Sequence, residues 1–178
     1  MKIFICTNDN QSIGAKVSKQ SIISRSSFTA EDIVILNESD CPDLKKFFSL
    51  PYMRRGKMID HEKNDMQSFT LLRFMIPQLM GYAGRALVID PDIFLVRNGL
   101  DSLRDFPMED CSIYARKGLK KGSWGSSVML LNCQELGHWK LSNFIEQMHK
   151  GLLDYDNLIN LKTEEKKIAV FENQWNEY

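Results

Sequence analysis

The most informative stretch of the sequence is Arg85-Ala86-Leu87-Val88-Ile89-Asp90-Pro91-Asp92-Ile93-Phe94-Leu95, an apolar run that leads into two aspartates separated by one residue. Side chains alternate faces along an extended chain, so Asp90 and Asp92 point to the same side and can share one hard cation. Pro91 cannot donate to a sheet ladder, which places the two aspartates where the strand ends. The pattern predicts a site for a metal-bound phosphate. A turn that merely contains two acidic residues would have the same pattern.

Composition limits what such a site can bind. With 178 residues and 43% hydrophobic content, the chain can bury one sizeable core, and we expect a single domain over residues 1–178. Lysine and arginine together number 23, and so do aspartate and glutamate. Because a chain without net charge has no general attraction for nucleic acid, we expect a specific site for a small molecule.

The cysteines and the amino terminus indicate a cytoplasmic protein. The four cysteines are widely spaced and form no Cys-x-x-Cys pair, which is typical of buried thiols in a reducing compartment: Cys6, Cys41, Cys111 and Cys133. Met1-Lys2 leads directly into a strand rather than a signal peptide, and every apolar run is much shorter than the roughly 20 residues that cross a bilayer. We expect no transmembrane segment, and only peripheral contact with any membrane.

Short apolar strands alternate with amphipathic helices along the chain, a pattern typical of an α/β fold with a largely parallel sheet. Residues 65–80 predict a largely buried helix that ends at Gly81, and residues 136–150 a second helix that ends at Gly151. Residues 37–64 contain prolines and charges without a sustained period, which indicates a long loop with short turns. The last quarter of the chain is predicted to be helical. The strands are predicted at residues 3–7, 33–36, before Asp90, at 111–115 and at 126–131.

Four segments, in this order, resemble motifs of nucleotide-sugar glycosyltransferases with the GT-A fold: residues 2–9 (KIFICTND), 69–77 (FTLLRFMIP), 88–92 (VIDPD) and 124–131 (WGSSVMLL). The chain is similar above all to glycosyltransferase family 8, the glycogenin and lipopolysaccharide galactosyltransferase group. The resemblance covers nearly the whole chain. It implies a Rossmann-like, mostly parallel sheet flanked by helices, a UDP-sugar donor, and transfer with retention of anomeric configuration.

The resemblance also implies roles for the residues at two strand ends. Thr7, Asn8 and Asp9 would line the base and ribose of a nucleoside diphosphate, most simply uridine diphosphate. Asp90 and Asp92 would hold Mn²⁺ or Mg²⁺, which bridges the diphosphate. The residues themselves allow this placement, because ligands of Rossmann-like sheets bind at the carboxyl ends of strands. The alternative is that residues 7–9 form a polar cap at the start of a helix.

Arg73 lies in an otherwise apolar segment, where a guanidinium is costly unless it is paired or faces solvent. We interpret it as a catalytic or donor-binding residue that contacts the donor sugar or an aspartate of the metal site, with a structural ion pair as the alternative. Ser126 and Ser127, after Trp124-Gly125, precede a buried strand. Small residues there would let a sugar approach the backbone, and Ser126 could bind its hydroxyls. The same residues could simply begin the strand.

Asp154-Tyr155-Asp156 resembles the late acidic motif in which related retaining enzymes place a polar residue beside the anomeric carbon. We assign this catalytic position to Asp156 rather than Asp154, although either aspartate could cap a helix. Family members continue after a segment like Trp175-Asn176 to a histidine that completes the metal site, and to a lysine and a tryptophan that close over the diphosphate. This chain stops at Tyr178. We therefore expect a chain truncated at its carboxyl end, with reduced or absent activity.

The resulting hypothesis is a metal-dependent hexosyltransferase that acts on a carbohydrate or glycolipid acceptor hydroxyl. A nucleotide-sugar-binding domain without turnover is the first alternative. A phosphoesterase or nucleotidyltransferase that uses Asp90 and Asp92 is the second. The sugar, the acceptor and the oligomeric state stay open at this stage.

Overall fold

The computed structural model describes residues 1–62, 65–108, 111–118, 122–171 and 175, without the side chains of residues 165 and 166. Its strands are β1 (Lys2–Thr7), β2 (Ile33–Asn37), β3 (Tyr52–Arg54), β4 (Lys57–Ile59), β5 (Arg85–Ile89), β6 (Ile113–Lys117), β7 (Trp124–Asn132) and β8 (Ile168–Val170). Its α-helices are α1 (Ser12–Arg25), α2 (Pro42–Phe47), α3 (Ile76–Leu79), α4 (Leu141–His149) and α5 (Tyr155–Ile159). Within the described ranges, no helix combines the length and apolar content needed to cross a bilayer.

The main sheet has the strand order β2-β1-β5-β7-β6-β8. β1 pairs in parallel with β2 and with β5, and β6 pairs in parallel with β8. β7 runs antiparallel to both of its neighbours, β5 and β6. The predicted α/β architecture with a mostly parallel sheet is therefore confirmed. The reversal of β7 makes the sheet mixed.

Two apolar clusters cover the two faces of this sheet. Along β1, Ile3 and Ile5 face the layer that contains α1, whereas Phe4 and Cys6 face the layer that contains the segment Ser68–Met75 and the helices α2 to α5. Alternate residues of one strand thus enter different clusters, as the pleat of an extended chain requires. Strands buried on both sides have nearly continuous apolar sequences, which explains why the sequence predicts them.

The predicted loop over residues 37–64 is wrong, because this segment contains helix α2 and an antiparallel hairpin of β3 and β4. α2 has six residues and begins with Pro42, so it is too short to show a helical period. The hairpin turns at Arg55 and Gly56, both with positive φ, without the Asn-Gly or Asp-Gly pair that usually marks such a turn.

The predicted helix over residues 65–80 is buried, but most of it is not an α-helix. Ser68–Met75 forms a 3₁₀ helix, and only Ile76–Leu79 is α-helical. Pro77 has no N–H to bond to the carbonyl four residues earlier, which favours the tighter winding before it. Gly81, with φ of 61°, ends the segment as predicted.

The carboxyl-terminal quarter is less helical than predicted. α5 is followed by a 3₁₀ segment over residues 162–167 and then by β8, which extends the main sheet beside β6. The strand predicted at residues 126–131 is longer than expected, because β7 already begins at Trp124 and includes both Ser126 and Ser127. β8 has only three residues, which is too short for a recognisable strand pattern in the sequence.

Helix α1 is fixed against the turn that follows β5. The hydroxyl of Ser18 donates a hydrogen bond of 2.6 Å to the carbonyl of Ile93. Gly14 lies so close to the same turn that a Cβ atom there would be 2.9 Å from the carbonyl oxygen of Pro91. The missing side chain of Gly14 therefore sets how closely the helix approaches the Asp90-Pro91-Asp92 turn.

Replacing Gly14 with alanine should lower the free energy of unfolding by about 1 kcal/mol, because the clash with the Pro91 backbone outweighs the gain in helix propensity. Gly137→Ala is the matched control, since Gly137 has φ of −60° and open space around its Cβ position. It should be neutral or slightly stabilising. Urea denaturation of both variants measures the difference, and equal stabilities would contradict the close approach.

Candidate functional site

The polar ends of β1 and β5 lie side by side. The two strands are parallel neighbours, with Ile5 opposite Ile89 in the register. Because parallel strands end at the same edge of a sheet, Thr7-Asn8-Asp9 and Asp90-Pro91-Asp92 leave the sheet together. The structure thus places these two polar segments at the same edge of the sheet.

Arg73 joins this edge from the 3₁₀ segment Ser68–Met75. Its side chain is 3% exposed, and its Nη2 donates a hydrogen bond of 2.6 Å to Oδ1 of Asp90. Its Nη1 donates to the hydroxyl of Ser126. Its Nε is buried without a hydrogen-bond partner in the described part of the chain. The predicted contact of Arg73 with an aspartate of the acidic pair is therefore present.

Asp90 is in an unusual electrostatic position. Burial raises the pKa of its carboxyl to about 6, Arg73 opposes this rise, and the neighbouring Asp92 carboxylate adds to it. Asp92 is exposed and accepts no hydrogen bond from residues of the described ranges. The two carboxylates thus repel each other, and one arginine compensates them only in part.

These residues fit a hard divalent cation. Carboxylate oxygens are the ligands that Mg²⁺ and similar ions prefer, and such ions are commonly held by one or two carboxylates together with substrate phosphates. The described residues contain no cluster of three or more histidine, cysteine, aspartate or glutamate side chains that could hold a metal ion. Asp90 and Asp92 would therefore hold a cation only together with further ligands, such as water or a bound anion.

The polar residues at the end of β1 form hydrogen bonds with neighbouring segments. The carboxamide oxygen of Asn8 accepts from the N–H of Gln11 at 3.1 Å, which caps the first turn, and its Nδ2 donates to the hydroxyl of Ser68 at 3.0 Å. Asp9 is exposed and accepts a hydrogen bond of 2.8 Å from Asn37. Thr7 is fully buried. The alternative of a polar cap thus holds for Asn8, and the nucleoside-binding roles of all three residues stay predictions.

Ser126 and Ser127 lie on β7, opposite the end of β5. The hydroxyl of Ser126 accepts from Arg73 and donates to the carbonyl of Ile159 at 2.9 Å, so it links the arginine to α5. The carbonyl of Ser127 accepts the N–H of Asp90 at 2.9 Å. Both serines therefore position the Arg73–Asp90 pair, and contact of either with a sugar stays a prediction.

The two aspartates of the late acidic motif have different structural roles. Asp154 caps α5, accepting from the N–H of Asp156 at 2.9 Å. Asp156 accepts hydrogen bonds of 3.0 Å from Arg54 on one oxygen and 3.0 Å from Arg55 on the other. Partial burial favours the neutral acid, but the two arginines dominate and hold the pKa of Asp156 below its ordinary value.

Arg54 and Arg55 were not identified from the sequence, because they lie in the segment that was predicted to be a loop. Arg54 also contacts the ring of Tyr155, with 4.9 Å between its guanidinium carbon and the ring centroid. The available signal was the pair of adjacent arginines followed by Gly56. Two adjacent arginines before a glycine are common on protein surfaces. Only the structure shows that Asp156 is their partner.

A cavity of about 530 Å³ opens beside Asp92, on the face of the sheet that α1 covers. Apolar residues of β5, β7 and the turn after β5 form most of its wall, among them Leu87, Ile89 and Val128. Arg73 lies on the other side of the sheet, in the cluster that contains Phe74 and Val88. The polar groups of the candidate site therefore do not line this cavity, apart from Asp92.

No protein-family profile and no curated protein matches the sequence. Solved structures do match the fold. The galactosyltransferase LgtC, in complex with donor and acceptor sugar analogues, has 15% identity and a TM-score of 0.63 over 97% of this chain and 74% of LgtC. GlyE of Streptococcus pneumoniae TIGR4 has 19% identity and a TM-score of 0.65 over 98% of this chain and 46% of GlyE. The bifunctional glycosyltransferase WbbM has 18% identity and a TM-score of 0.63 over 97% of this chain and 39% of WbbM.

The chain has the GT-A glycosyltransferase fold. In this GT-A fold, the single domain expected from the sequence corresponds to one mixed six-stranded sheet between two helical layers. Identities of 15–19% establish the fold alone. Membership of family 8 and truncation of the chain stay predictions.

The Arg73–Asp90 pair should make a measurable contribution to the stability of this GT-A domain. Arg73→Ala removes one partner of a buried ion pair, and it should lower the free energy of unfolding by about 3 kcal/mol. The loss should lie at the low end for such pairs, because the Asp90 side chain is 20% exposed and its pKa is raised to about 6, so it can take up a proton.

The control for this measurement is Lys150→Ala. It removes the exposed i,i+4 pair of Lys150 with Glu146 and should cost no more than about 0.5 kcal/mol. Chemical denaturation monitored by tryptophan fluorescence compares the two variants. Equal losses would show that Arg73 contributes no more than a surface charge.

Proposed function

We propose that the chain binds a UDP-sugar at the joint end of β1 and β5 and transfers its hexose to an acceptor hydroxyl with retention of configuration. The observation that carries the proposal is the buried Arg73–Asp90 pair at the edge where the polar ends of two parallel strands meet. A buried arginine beside two carboxylates at that edge suits a charged ligand better than a neutral one.

The neighbours support the same class of substrate. LgtC was solved with donor and acceptor sugar analogues, and GlyE and WbbM are also glycosyltransferases. By this analogy, Asp90 and Asp92 would hold Mn²⁺ or Mg²⁺ when the diphosphate of the donor is bound. When bound, the cation would offset the negative charge that forms on the departing UDP.

The chain's own residues would prepare this reaction in three ways. Arg73 holds the Asp90 carboxylate in one orientation and limits the repulsion from Asp92. Asn8 and Asp9, at the end of β1, would contact the nucleoside. Asp156 is kept ionised by Arg54 and Arg55, and as a carboxylate it would stabilise positive charge on the anomeric carbon while the bond to UDP lengthens.

Donor binding without turnover is the second candidate. In that case the Asp156 carboxylate would serve only as the partner of Arg54 and Arg55. A metal-dependent phosphoesterase or nucleotidyltransferase would use the same two aspartates. The products distinguish these activities, because transfer releases UDP, whereas the others release phosphate or pyrophosphate.

Titration of UDP into the protein by calorimetry should give binding that depends on Mn²⁺. Asp92→Asn should weaken it at least about tenfold, a loss of about 1.4 kcal/mol, because a carboxylate ligand is removed. Asp105→Asn, a change at an exposed carboxylate away from the strand end, should leave binding unchanged. UDP binding that is indifferent to Mn²⁺ and to Asp92 would refute the metal-bound diphosphate.

Turnover is measured separately, as UDP released from UDP-glucose or UDP-galactose with Mn²⁺ present. Release of UDP with a product of unchanged anomeric configuration, read by proton NMR, is the expected result. A product of inverted configuration would refute retention alone. Mn²⁺-dependent binding with no release of UDP would support the binding domain instead.

A further inference from the structure

The turn of the β3–β4 hairpin binds the start of α5 through three consecutive residues. Arg54 and Arg55 each donate a hydrogen bond of 3.0 Å from Nε to Asp156, one to each carboxylate oxygen. The N–H of Gly56 donates to Oδ2 of Asp154 at 2.8 Å. Both aspartates of the late acidic motif are therefore held by one turn that lies about 100 residues earlier in the chain.

Arg55 occupies a backbone position that suits other residues better. Its φ is 53°, in the left-handed region that glycine, asparagine and aspartate adopt most easily. Gly56 follows with φ of 72°, so the turn has the two positive φ angles of a type I′ hairpin. An arginine is strained in this conformation, and its side chain donates to Asp156 from there.

The two arginines differ in their surroundings. The Arg54 side chain is 25% exposed and also contacts the ring of Tyr155 and the hydroxyl of Tyr52. The Arg55 side chain is 77% exposed, and among the described residues Asp156 is its hydrogen-bond partner. Arg54 is thus packed into the domain, whereas Arg55 contributes to it chiefly through one carboxylate.

α5 connects this turn to the Arg73–Asp90 pair. The carbonyl of Ile159, at the end of α5, accepts the hydroxyl of Ser126, which itself accepts from Arg73. At the start of α5, Tyr155 is buried, and its phenol is close enough to Arg73 for that guanidinium to oppose the rise that burial causes in its pKa. α5 is therefore linked to the group that orients Asp90, and Asp156 lies on this helix.

We propose that Arg54 and Arg55 are positioning residues of the active site, which hold the Asp156 carboxylate ionised and in a fixed orientation for sugar transfer. This inference rests on the proposed function, because it takes Asp156 to be the group beside the anomeric carbon. Arg55 makes this contact from its strained backbone position. Within the part of the chain that the structure describes, the charged groups next to Asp156 are these two arginines from the hairpin, with Asp154 at the cap of α5.

Arg55→Gly separates this role from a structural one. Glycine relieves the left-handed strain, so the melting temperature should stay equal or rise, and Mn²⁺-dependent UDP binding should be unchanged. The rate of UDP release from the UDP-sugar should fall about tenfold in kcat with little change in KM, because only the orientation and charge of Asp156 are lost. Arg55→Asn should behave alike, and Arg55→Lys should recover part of the rate.

The pH dependence gives a second readout. The arginines hold the pKa of Asp156 below its ordinary value, so its loss of charge as pH falls should occur at a higher pH in Arg55→Gly and Arg54→Lys than in the wild type. Carboxyl ¹³C NMR of aspartate-labelled protein measures this midpoint directly, with Asp156→Asn to assign the signal. The acid limb of the rate should move in the same direction. Lys57→Ala, an exposed cation on the same hairpin, is the control that should shift neither.

Two results would overturn the proposal. The first is an Asp156 midpoint that is the same in the wild type and in Arg55→Gly. The second is a kcat for Arg55→Gly equal to that of the wild type. If the wild type binds UDP but releases none from a UDP-sugar, the proposed transfer fails, and the NMR midpoint alone then decides whether Arg54 and Arg55 position Asp156.

Discussion

The buried ion pair of Arg73 with Asp90 is the interaction on which the rest of the site depends. A guanidinium that is 3% exposed is tolerated only with a partner, and its partner is the first residue after β5. Through Ser126, the same guanidinium reaches β7 and the carbonyl of Ile159 on α5. One buried charge therefore ties together the 3₁₀ segment, two strands and a helix at one edge of the sheet.

Two groups of charges among the described residues, one at Asp90 and one at Asp156, have opposite balance. Asp90 and Asp92 share one arginine, and the pKa of Asp90 is raised to about 6, so this group is short of positive charge. Asp156 is paired with two arginines and its pKa is lowered, so this second group is not short of positive charge. The proposed divalent cation would by itself add positive charge to the first group.

The fold neighbours differ from this chain at more than four of every five positions, with identities of 15–19%. Such divergence is compatible with one fold, because a sheet covered on both faces requires only that its strand residues be apolar. Many different apolar residues meet that requirement. The chemistry depends on fewer residues and tighter geometry. This is why the shared GT-A fold leaves the donor, the cation and the acceptor to experiment.

The sequence by itself determined the elements whose stabilising contacts are coded locally. Continuous apolar runs marked β1 and β5, a proline marked the strand end at Asp90, and an isolated arginine in an apolar segment marked Arg73. Only the tertiary structure decided the winding of Ser68–Met75, the hairpin of β3 and β4, the short strand β8, and the partners of Arg73 and Asp156. Asp156 and Arg54 are 102 residues apart in the sequence. Because their contact forms only when the chain folds, no local sequence pattern predicts it.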